Sequence, residues 1–261
     1  MLFSTHWHPI AGGSSNRLLC SDDGRVLRIN APATLAFGVE RQREAAILQR
    51  IQAYPWAVKV LDNQPERGFC VMQACQALSP QANLSKQQQQ QLLQAIKQLQ
   101  ALPLPNTGSE YAALQLDYST LMKAYAQHLL PQHSQAARWI ESFLTQLAAL
   151  PDVAPTWVHH DLHLGNLCWD DGQIIILDWE YAGLANPWFD AYGLIQHCGL
   201  DAQSVKTLPD FAHINHTAWR QGLQITADLE KTLVDLWSAV RDMTQKKPEQ
   251  VVTAPASKAF E

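Results

Sequence analysis

The sequence has no long apolar run, no cluster of basic residues and little charge of either sign. Its longest notable apolar run, Ile-Ile-Ile-Leu at 174–177, is far shorter than the roughly 20 residues that a membrane-spanning helix needs, so we expect no membrane partner. Lysine and arginine together number 19 against 24 acidic residues, a formal net charge of −5, and the longest basic run is Lys246-Lys247. Because binding to nucleic acid requires a basic face, we expect no nucleic-acid partner either.

The cysteines include no Cys-x-x-Cys pair; they are Cys20, Cys70, Cys75, Cys168 and Cys198. An odd number of cysteines without paired spacing indicates neither a disulfide framework nor a zinc site of the usual kind. We therefore expect all of them to be reduced residues of the core in a cytoplasmic protein. In keeping with that location, the first residues have neither the basic nor the apolar segment of a secretory signal.

What is present is enough apolar material for a sizeable core. Hydrophobic residues make up 47% of the 261 positions and charged residues only 16%, so we expect the bulk of the chain to fold. At roughly 150 residues per domain, the length allows one or two domains. The change of pattern along the chain predicts an N-terminal part at 1–75, a larger C-terminal part at 76–246 and a flexible tail at 247–261.

The N-terminal part has the pattern of a small β-sheet. Strand-like segments at 17–20 and 25–29 flank Asp22-Asp23-Gly24, a turn signal in which glycine provides the positive φ of a tight hairpin. Upstream lies Gly-Gly-Ser-Ser-Asn at 12–16, whose small residues let a backbone approach a ligand closely. The spacing of apolar residues predicts three further elements, a helix at 37–53 and strands at 58–61 and 69–72.

The C-terminal part is mainly helical, with a short return to strands in its middle. Ser85 is predicted to cap a helix that carries Leu92, Ile96 and Leu99 on one face. The other predicted elements are helices near 117–130 and 135–150, strands near 157–158, 166–169 and 174–177, and helical structure over 187–243.

The densest polar cluster is His-His-Asp-Leu-His-Leu-Gly-Asn at 159–166, between two strand-like segments. A later strand-like segment ends at Asp178, where a poorly solvated carboxylate needs a partner cation. Phosphoryl transfer uses such parts, because one aspartate orients and deprotonates the attacking hydroxyl while an amide oxygen and a second carboxylate hold Mg²⁺ against the phosphates. Asp161 fits the base, and Asn166 and Asp178 fit the metal ligands, in the H-x-D-x-x-x-x-N spacing of a kinase catalytic loop.

The other parts of an ATP-binding site are expected upstream. Arg28 lies on the second hairpin strand, where a cation is needed against the nucleotide phosphates, and Glu44 lies in the following helix, where it can pair with Arg28. Arginine on the wet face of a strand is the alternative interpretation of Arg28. Gly13, Ser14 and Asn16 are further nucleotide-binding candidates, although small polar residues also suit an ordinary turn.

These motifs resemble those of the aminoglycoside phosphotransferase and choline kinase superfamily. The resemblance is carried by the strings at 157–166 and 176–183, by Val-Leu-Arg-Ile at 26–29 and by Pro-x-x-Asp at 187–190. Within it, Asp-Trp-Glu-Tyr-Ala-Gly at 178–183 is most similar to bacterial choline/ethanolamine kinases and thiamine kinases. The resemblance implies a two-lobed, protein-kinase-like α+β fold, with a small N-terminal β-sheet lobe containing one helix, a larger, mainly helical C-terminal lobe, and ATP between them.

The resemblance also implies roles for individual residues. They are Asp161 as the base, Asn166 and Asp178 as Mg²⁺ ligands, Arg28 with Glu44 as the nucleotide-lobe pair, and His159 as a brace of the catalytic loop. We expect Asp190 to hydrogen-bond the backbone of that loop. His160 departs from the family, which usually has a small residue or asparagine at this position.

The implied reaction transfers the γ-phosphoryl group of ATP to a small-molecule hydroxyl, and a cationic alcohol such as thiamine or choline is the expected acceptor. Such a cation needs aromatic rings and carboxylates around it, for which Glu180, Tyr181 and Trp188 are the candidates; Glu180 equally suits a metal-positioning or a solvated loop carboxylate. An aminoglycoside-type antibiotic kinase is the alternative of the same fold. A metal-dependent hydrolase built on the histidines of 159–163 and a non-catalytic nucleotide-binding module are the alternatives of other classes.

Overall fold

A five-stranded antiparallel sheet forms the N-terminal part of the fold, in the order β1-β2-β3-β5-β4. Its strands are β1 (Trp7–Pro9), β2 (Arg17–Ser21), β3 (Arg25–Ile29), β4 (Val60–Gln64) and β5 (Phe69–Gln73). The computed structural model describes residues 6–10, 15–32, 34–79, 81–105 and 108–245. Gly13, Ser14 and the predicted tail at 247–261 therefore lie outside the described residues.

The predicted hairpin is confirmed by the pairing of β2 with β3, in which Gly24 takes a φ of 78°. The strands predicted at 58–61 and 69–72 correspond to β4 and β5, which pair with each other. β1 has only three residues and was not predicted, since its pairing with β2 brings together segments that no local pattern links. In the middle of the sheet, Arg28 on β3 lies opposite Cys70 on β5.

The helix inserted into the sheet region, α1 (Arg41–Ile51), is shorter than the predicted 37–53. It begins after Glu40, whose carboxylate accepts a hydrogen bond of 2.8 Å from the backbone N–H of Arg43 and so caps the helix. Its buried face carries Ile47, Leu48 and Ile51.

The C-terminal part contains most of the helices and two small antiparallel sheets, β6 with β9 and β7 with β8. Its strands are β6 (Thr156–Val158), β7 (Leu167–Asp170), β8 (Gln173–Ile176) and β9 (Gly183–Ala185). Its helices are α2 (Lys86–Gln100), α3 (Ser109–Leu114), α4 (Tyr118–Leu129), α5 (Ala136–Ala148), α6 (Trp188–Gln196), α7 (Ala202–Lys206) and α8 (His216–Gln245). Within the described ranges, none of the helices combines the length and the apolar character needed to cross a membrane.

The fold class is as predicted, a small sheet region followed by a larger helical region, and Ser85 does cap α2. Its hydroxyl accepts a hydrogen bond from the Gln88 backbone, while the Gln88 side chain accepts one from the Ser85 backbone. β9 and α3 were not predicted, because each is short and takes its place from contacts with distant parts of the chain.

One apolar core runs from α1 into the helical region and holds the two regions together. Ile47 and Ile51 of α1 share this core with Ile96 of α2 and with Trp179. Trp179 packs 5.9 Å from Trp56, ring centre to ring centre, and its indole N–H donates to the Ile176 carbonyl at 3.0 Å. The segment that follows β8 is thereby fixed against the interior.

The connection between the two regions runs along β7. The Leu78 N–H donates to the Leu167 carbonyl at 3.0 Å and the Trp169 N–H to the Gln76 carbonyl at 2.9 Å. Next to these bonds, Cys75 forms a disulfide with Cys168. The expectation that all cysteines are reduced is therefore wrong, because the pairing joins residues 93 positions apart that no spacing rule connects.

The disulfide predicts the number of free thiols. Alkylation of the unfolded protein without a reductant should modify only Cys20, Cys70 and Cys198, and prior reduction should add two labels, as counted by intact mass. Cys75→Ser serves as the control, since it should expose Cys168 without reduction. Five labels on the unreduced wild-type protein would contradict the pairing.

Candidate active site

A cavity of about 230 Å³ lies between the sheet and the β7–β8 hairpin. Its apolar walls come from both regions and include Leu18, Val26, Val58, Met72 and Leu177. Its polar lining includes Gln73 and four predicted site residues, Asn16, Arg28, Asn166 and Asp178. We call it the sheet-side cavity.

A second cavity, of about 270 Å³, lies on the helical side and contains Asp161. We call it the helical-side cavity. Six aromatic side chains line it: Phe37, Tyr125, Tyr181, Phe189, Tyr192 and Trp237. Glu230 is the second carboxylate among the described residues of its lining.

The loop that carries Asp161 leaves β6 and is held from behind by Asp190. The Asp190 carboxylate accepts hydrogen bonds from the backbone N–H groups of His159, at 2.8 Å, and of His160, at 2.7 Å. Burial raises the pKa of Asp190 to about 7, and the two N–H donors oppose that rise. Asp190 thus makes the backbone contacts expected of it.

His159 braces the same loop from inside. Its ring is fully buried, its Nε2 lies 2.7 Å from the Leu177 carbonyl, and its Nδ1 accepts from the Asp161 N–H at 3.3 Å. Burial lowers the pKa of His159 to about 4, so the ring is neutral at neutral pH. With Nδ1 accepting, the single ring proton is on Nε2, which donates to Leu177.

Asp161 and Asn166 contact each other directly. The Asn166 amide nitrogen donates to a carboxylate oxygen of Asp161 at 3.0 Å and to its carbonyl at 2.9 Å. This orientation leaves the amide oxygen of Asn166 as the atom available to a cation. Burial acts to raise the pKa of Asp161, but His163, whose Nε2 lies 3.7 Å away, and Asn166 outweigh it and lower that pKa below its usual value.

Asp178 follows β8 with a left-handed backbone, at a φ of 58° and a ψ of 65°. Its carboxylate lies 3.4 Å from the Arg28 guanidinium and is 29% exposed. Burial and the neighbouring charge of Glu180 raise the pKa of Asp178 to about 7, whereas Arg28 lowers it.

Arg28 and Glu44 form a two-pronged, buried ion pair, with both nitrogen–oxygen distances at 2.7 Å. Burial alone would lower the pKa of Arg28, but Glu44 raises it above the ordinary arginine value. The alternative interpretation of Arg28 as a solvated strand residue is therefore excluded.

The charges around Asp178 fit a divalent cation. Three carboxylates, Glu44, Asp178 and Glu180, share two guanidinium groups, those of Arg28 and Arg41, so the group carries one excess negative charge when all five are ionised. The least neutralised of the three is Asp178, which lines the sheet-side cavity. Its carboxylate and an amide oxygen are the ligands that Mg²⁺ accepts, with phosphate and water completing its coordination.

The structure does not bring Glu180 and Trp188 to the helical-side cavity, contrary to the expectation that they contact the acceptor. Glu180 is 4% exposed and binds Asn16 and Arg41 instead. Trp188 has no exposed surface and packs against Phe211 and Trp219 in the core. Of the three predicted acceptor residues, Tyr181 lines the cavity.

Two charged residues of the site were missed from the sequence, Arg41 and Glu230. A signal for Glu230 was present, because Glu230, Leu233, Val234 and Trp237 follow the i, i+3, i+4, i+7 spacing of one helix face, and all four line the cavity. Arg41 had no comparable signal, since an arginine three residues before a glutamate is typical of an exposed helix pair.

The histidines of the loop do not form a metal centre. Within the part of the chain that the structure describes, no group of three or more His, Cys, Asp or Glu side chains is arranged to hold a metal ion. The hydrolase alternative therefore lacks the ligand set that it requires.

Comparison with known proteins agrees with this geometry. A family model described as the phosphotransferase enzyme family matches residues 6–225. The chain belongs to this family. The resemblance to the aminoglycoside phosphotransferase and choline kinase superfamily is thereby confirmed, and the protein is a phosphotransferase with a kinase-like fold. A search of curated proteins finds no match.

Solved structures share the fold at low sequence identity. Choline kinase LicA from Streptococcus pneumoniae has a TM-score of 0.69 at 16% identity, with 93% of this chain and 88% of that chain covered. The Plasmodium vivax ethanolamine kinase has a TM-score of 0.69 at 15% identity, covering 95% and 79%. The ADP-bound aminoglycoside phosphotransferase APH(2'')-Ib has a TM-score of 0.56 at 13% identity, covering 95% and 89%.

The surroundings of His160 predict a pH effect on the stability of this phosphotransferase. Burial lowers the pKa of His160 to about 4, whereas the unfolded chain has a value near 6.5. The unfolded state therefore binds more protons between these values, and the stability that the neutral ring contributes is lost as the pH falls through this window. Between pH 7 and pH 5, the free energy of unfolding should fall in the wild-type protein by up to about 2 kcal/mol more than it falls in His160→Asn.

Urea unfolding of both proteins at several pH values measures this difference. Groups such as Asp190 titrate in both proteins, so their contribution cancels in the comparison. Parallel stability curves for the two proteins would show that His160 titrates normally.

Proposed function

We propose that this phosphotransferase transfers the γ-phosphoryl group of ATP to the hydroxyl of a small cationic alcohol of the choline or thiamine type. The observation that carries the proposal is the contact between Asp161 and Asn166. Asp161 lines the helical-side cavity, Asn166 lines the sheet-side cavity, and the two side chains are 3.0 Å apart. Nucleotide in one cavity and acceptor in the other would meet at this contact.

The sheet-side cavity suits a nucleotide. Its apolar walls can enclose a base, and Arg28, which lines the cavity and is fixed by Glu44, is a cation that can face the phosphates. Asn166 and Asp178 would hold Mg²⁺. When bound, Mg²⁺ supplies positive charge against the β- and γ-phosphates.

Asp161 suits the general base. Its lowered pKa keeps the carboxylate ionised at neutral pH, so it can accept the hydrogen bond of the acceptor hydroxyl and aim the oxygen at phosphorus. As the new oxygen–phosphorus bond forms and the bond to the leaving diphosphate breaks, the hydroxyl proton passes to Asp161. Phosphoryl transfer needs this positioning more than a strong base.

Replacement of Asp161 by asparagine tests this role. Asp161→Asn should lower kcat by about 10²–10⁴-fold, while the affinity for Mg-ATP, measured by calorimetry, stays close to wild type because Asp161 faces the acceptor. Near-normal turnover in this variant would remove the proposed mechanism.

The helical-side cavity supports a compact monocation as acceptor. Six aromatic side chains line the cavity, and a ring whose face meets a quaternary ammonium or thiazolium group contributes about 0.5–2 kcal/mol. Glu230 adds a carboxylate, which also pairs with His197 at 2.6 Å. A volume of about 270 Å³ lies below the roughly 300–1,000 Å³ of sites for drug-sized ligands, and an aminoglycoside with several ammonium groups would call for more carboxylates than this lining has.

The acceptor class is tested by ATP consumption with thiamine, choline, ethanolamine and aminoglycosides, together with inhibition by tetramethylammonium. We expect turnover with a monocationic alcohol, inhibition by tetramethylammonium and none by kanamycin. Glu230→Gln should raise the acceptor KM about tenfold, equivalent to about 1.4 kcal/mol, with little change in the KM for ATP.

The matched control is Asp228→Asn, which removes an exposed carboxylate of the same helix that does not line the cavity. Efficient phosphorylation of an aminoglycoside would favour the antibiotic-kinase alternative. Equal effects of the two substitutions would show that Glu230 acts only through net charge.

A further inference from the structure

We infer that Arg41 is a positioning residue for the nucleotide side of the site. It connects three segments, the residues before β2, the first turn of α1 and the turn after Asp178, and so fixes the arrangement of Arg28 and Asp178. The inference rests on the proposed function in one respect, that the sheet-side cavity binds the nucleotide. Arg41 is absent from the described lining of both cavities, so it acts through its partners.

The contacts of Arg41 use both ends of its guanidinium. One terminal nitrogen lies 3.1 Å from the Glu44 carboxylate and 3.0 Å from the Glu180 carboxylate. The other donates to the side-chain oxygen of Asn16 at 3.1 Å. The Arg41 side chain is only 16% exposed, so these contacts form in a poorly solvated place.

Asn16, the third partner of Arg41, also binds Glu180 and the backbone after β3. Its amide nitrogen donates to Glu180 at 2.7 Å, and its oxygen also accepts the Ala31 N–H at 2.9 Å. Asn16 itself lines the sheet-side cavity. A ligand in that cavity would therefore lie against a wall whose position depends on Arg41 and Glu180.

The position of Arg41 in its helix supports this role. It is the first residue of α1, where a positive side chain opposes the helix dipole. Helix formation alone thus disfavours an arginine there. A guanidinium, with its planar fork of donors, can bind two carboxylates and an amide at once, which the single ammonium of lysine cannot do in the same geometry.

Removal of Arg41 would leave Glu44 and Glu180 sharing less positive charge. Of the two guanidinium groups that neutralise these carboxylates, that of Arg28 would remain, shared by Glu44 and Asp178. Glu180 would keep its hydrogen bond from Asn16. Repulsion between Glu180 and Asp178, two residues apart in one turn, would move the candidate metal ligand. Nucleotide binding should weaken, whereas the helical-side cavity should be unaffected.

The test compares Arg41→Gln with Arg50→Gln. Arg50 lies on the same helix but pairs with the exposed Glu110, so its substitution controls for loss of one positive charge from α1. We expect the Kd for a magnesium complex of a non-hydrolysable ATP analogue, measured by calorimetry, to rise at least tenfold in Arg41→Gln and less than twofold in Arg50→Gln. Affinity for choline, titrated separately, should stay within about twofold of wild type in both.

Two further variants separate positioning from a general loss of structure. Arg41→Lys should be intermediate, and Arg41→Gln combined with Glu180→Gln should recover part of the lost nucleotide affinity, because it removes the carboxylate left without its cation. Thermal melting without ligand monitors folding of every variant, and the double variant replaces Arg41→Gln if that protein does not fold.

The outcomes are distinguishable. A wild-type protein that binds no nucleotide would overturn both this inference and the proposed function. Nucleotide binding by wild type with an unchanged Kd in Arg41→Gln would overturn only the inference. An equal loss of choline and nucleotide affinity, or a double variant no better than the single one, would also overturn it, because either result indicates a merely structural role.

Discussion

The buried pairing of Arg28 with Glu44 is the interaction on which the rest of the site depends. Placing these charges in the interior is unfavourable unless each is paired, and removing one partner from such a pair typically costs about 3–5 kcal/mol. The pair connects β3 to α1, and through Asp178 it reaches the turn after β8. Arg41 pairs with both Glu44 and Glu180 and so adds Glu180 to these ion pairs. The sheet and the catalytic turn are therefore positioned by one continuous network of ion pairs rather than by separate contacts.

Hydrogen bonds hold one of the two catalytic segments in place, and apolar packing holds the other. The loop at 159–166 has little regular structure, yet Asp190 from α6 and the buried ring of His159 fix its backbone. The turn after β8 is fixed instead by Trp179, which packs on Trp56. Trp179 belongs to the same core as α1, and the His159 ring packs against it at 4.7 Å between ring centres. A change in packing at the junction of the two regions would therefore displace the turn after β8 and the catalytic loop together.

The sequence was most informative where function imposes fixed spacings. Asp161 and Asn166 are five residues apart and their side chains contact each other, although the roles of these residues stay predictions. The resemblance carried by such motifs implied the fold class, and the order of strands and helices was consistent with it. The sequence was least informative where two distant segments decide a contact. Cys75 and Cys168 form a disulfide because the chain after β5 runs beside β7. Glu180 binds Asn16 and Arg41 of the N-terminal region and does not line the helical-side cavity. Trp188 shows the same limit, since the sequence near a motif does not distinguish an aromatic residue of a pocket from one of the core, and packing places Trp188 in the core.

The backbone of His160 has a consequence for the size of the helical-side cavity. Its φ of 69° is a left-handed conformation that disfavours a residue with a Cβ by about 1 kcal/mol or more, and a glycine would adopt it freely. The imidazole offsets this strain by stacking on Phe189 at 4.3 Å and by its 3.0 Å hydrogen bond with the Tyr118 hydroxyl. The ring therefore acts as a rigid spacer on one wall of the cavity. A glycine at this position would relieve the backbone and remove the ring, so the strained histidine limits the space beside Asp161.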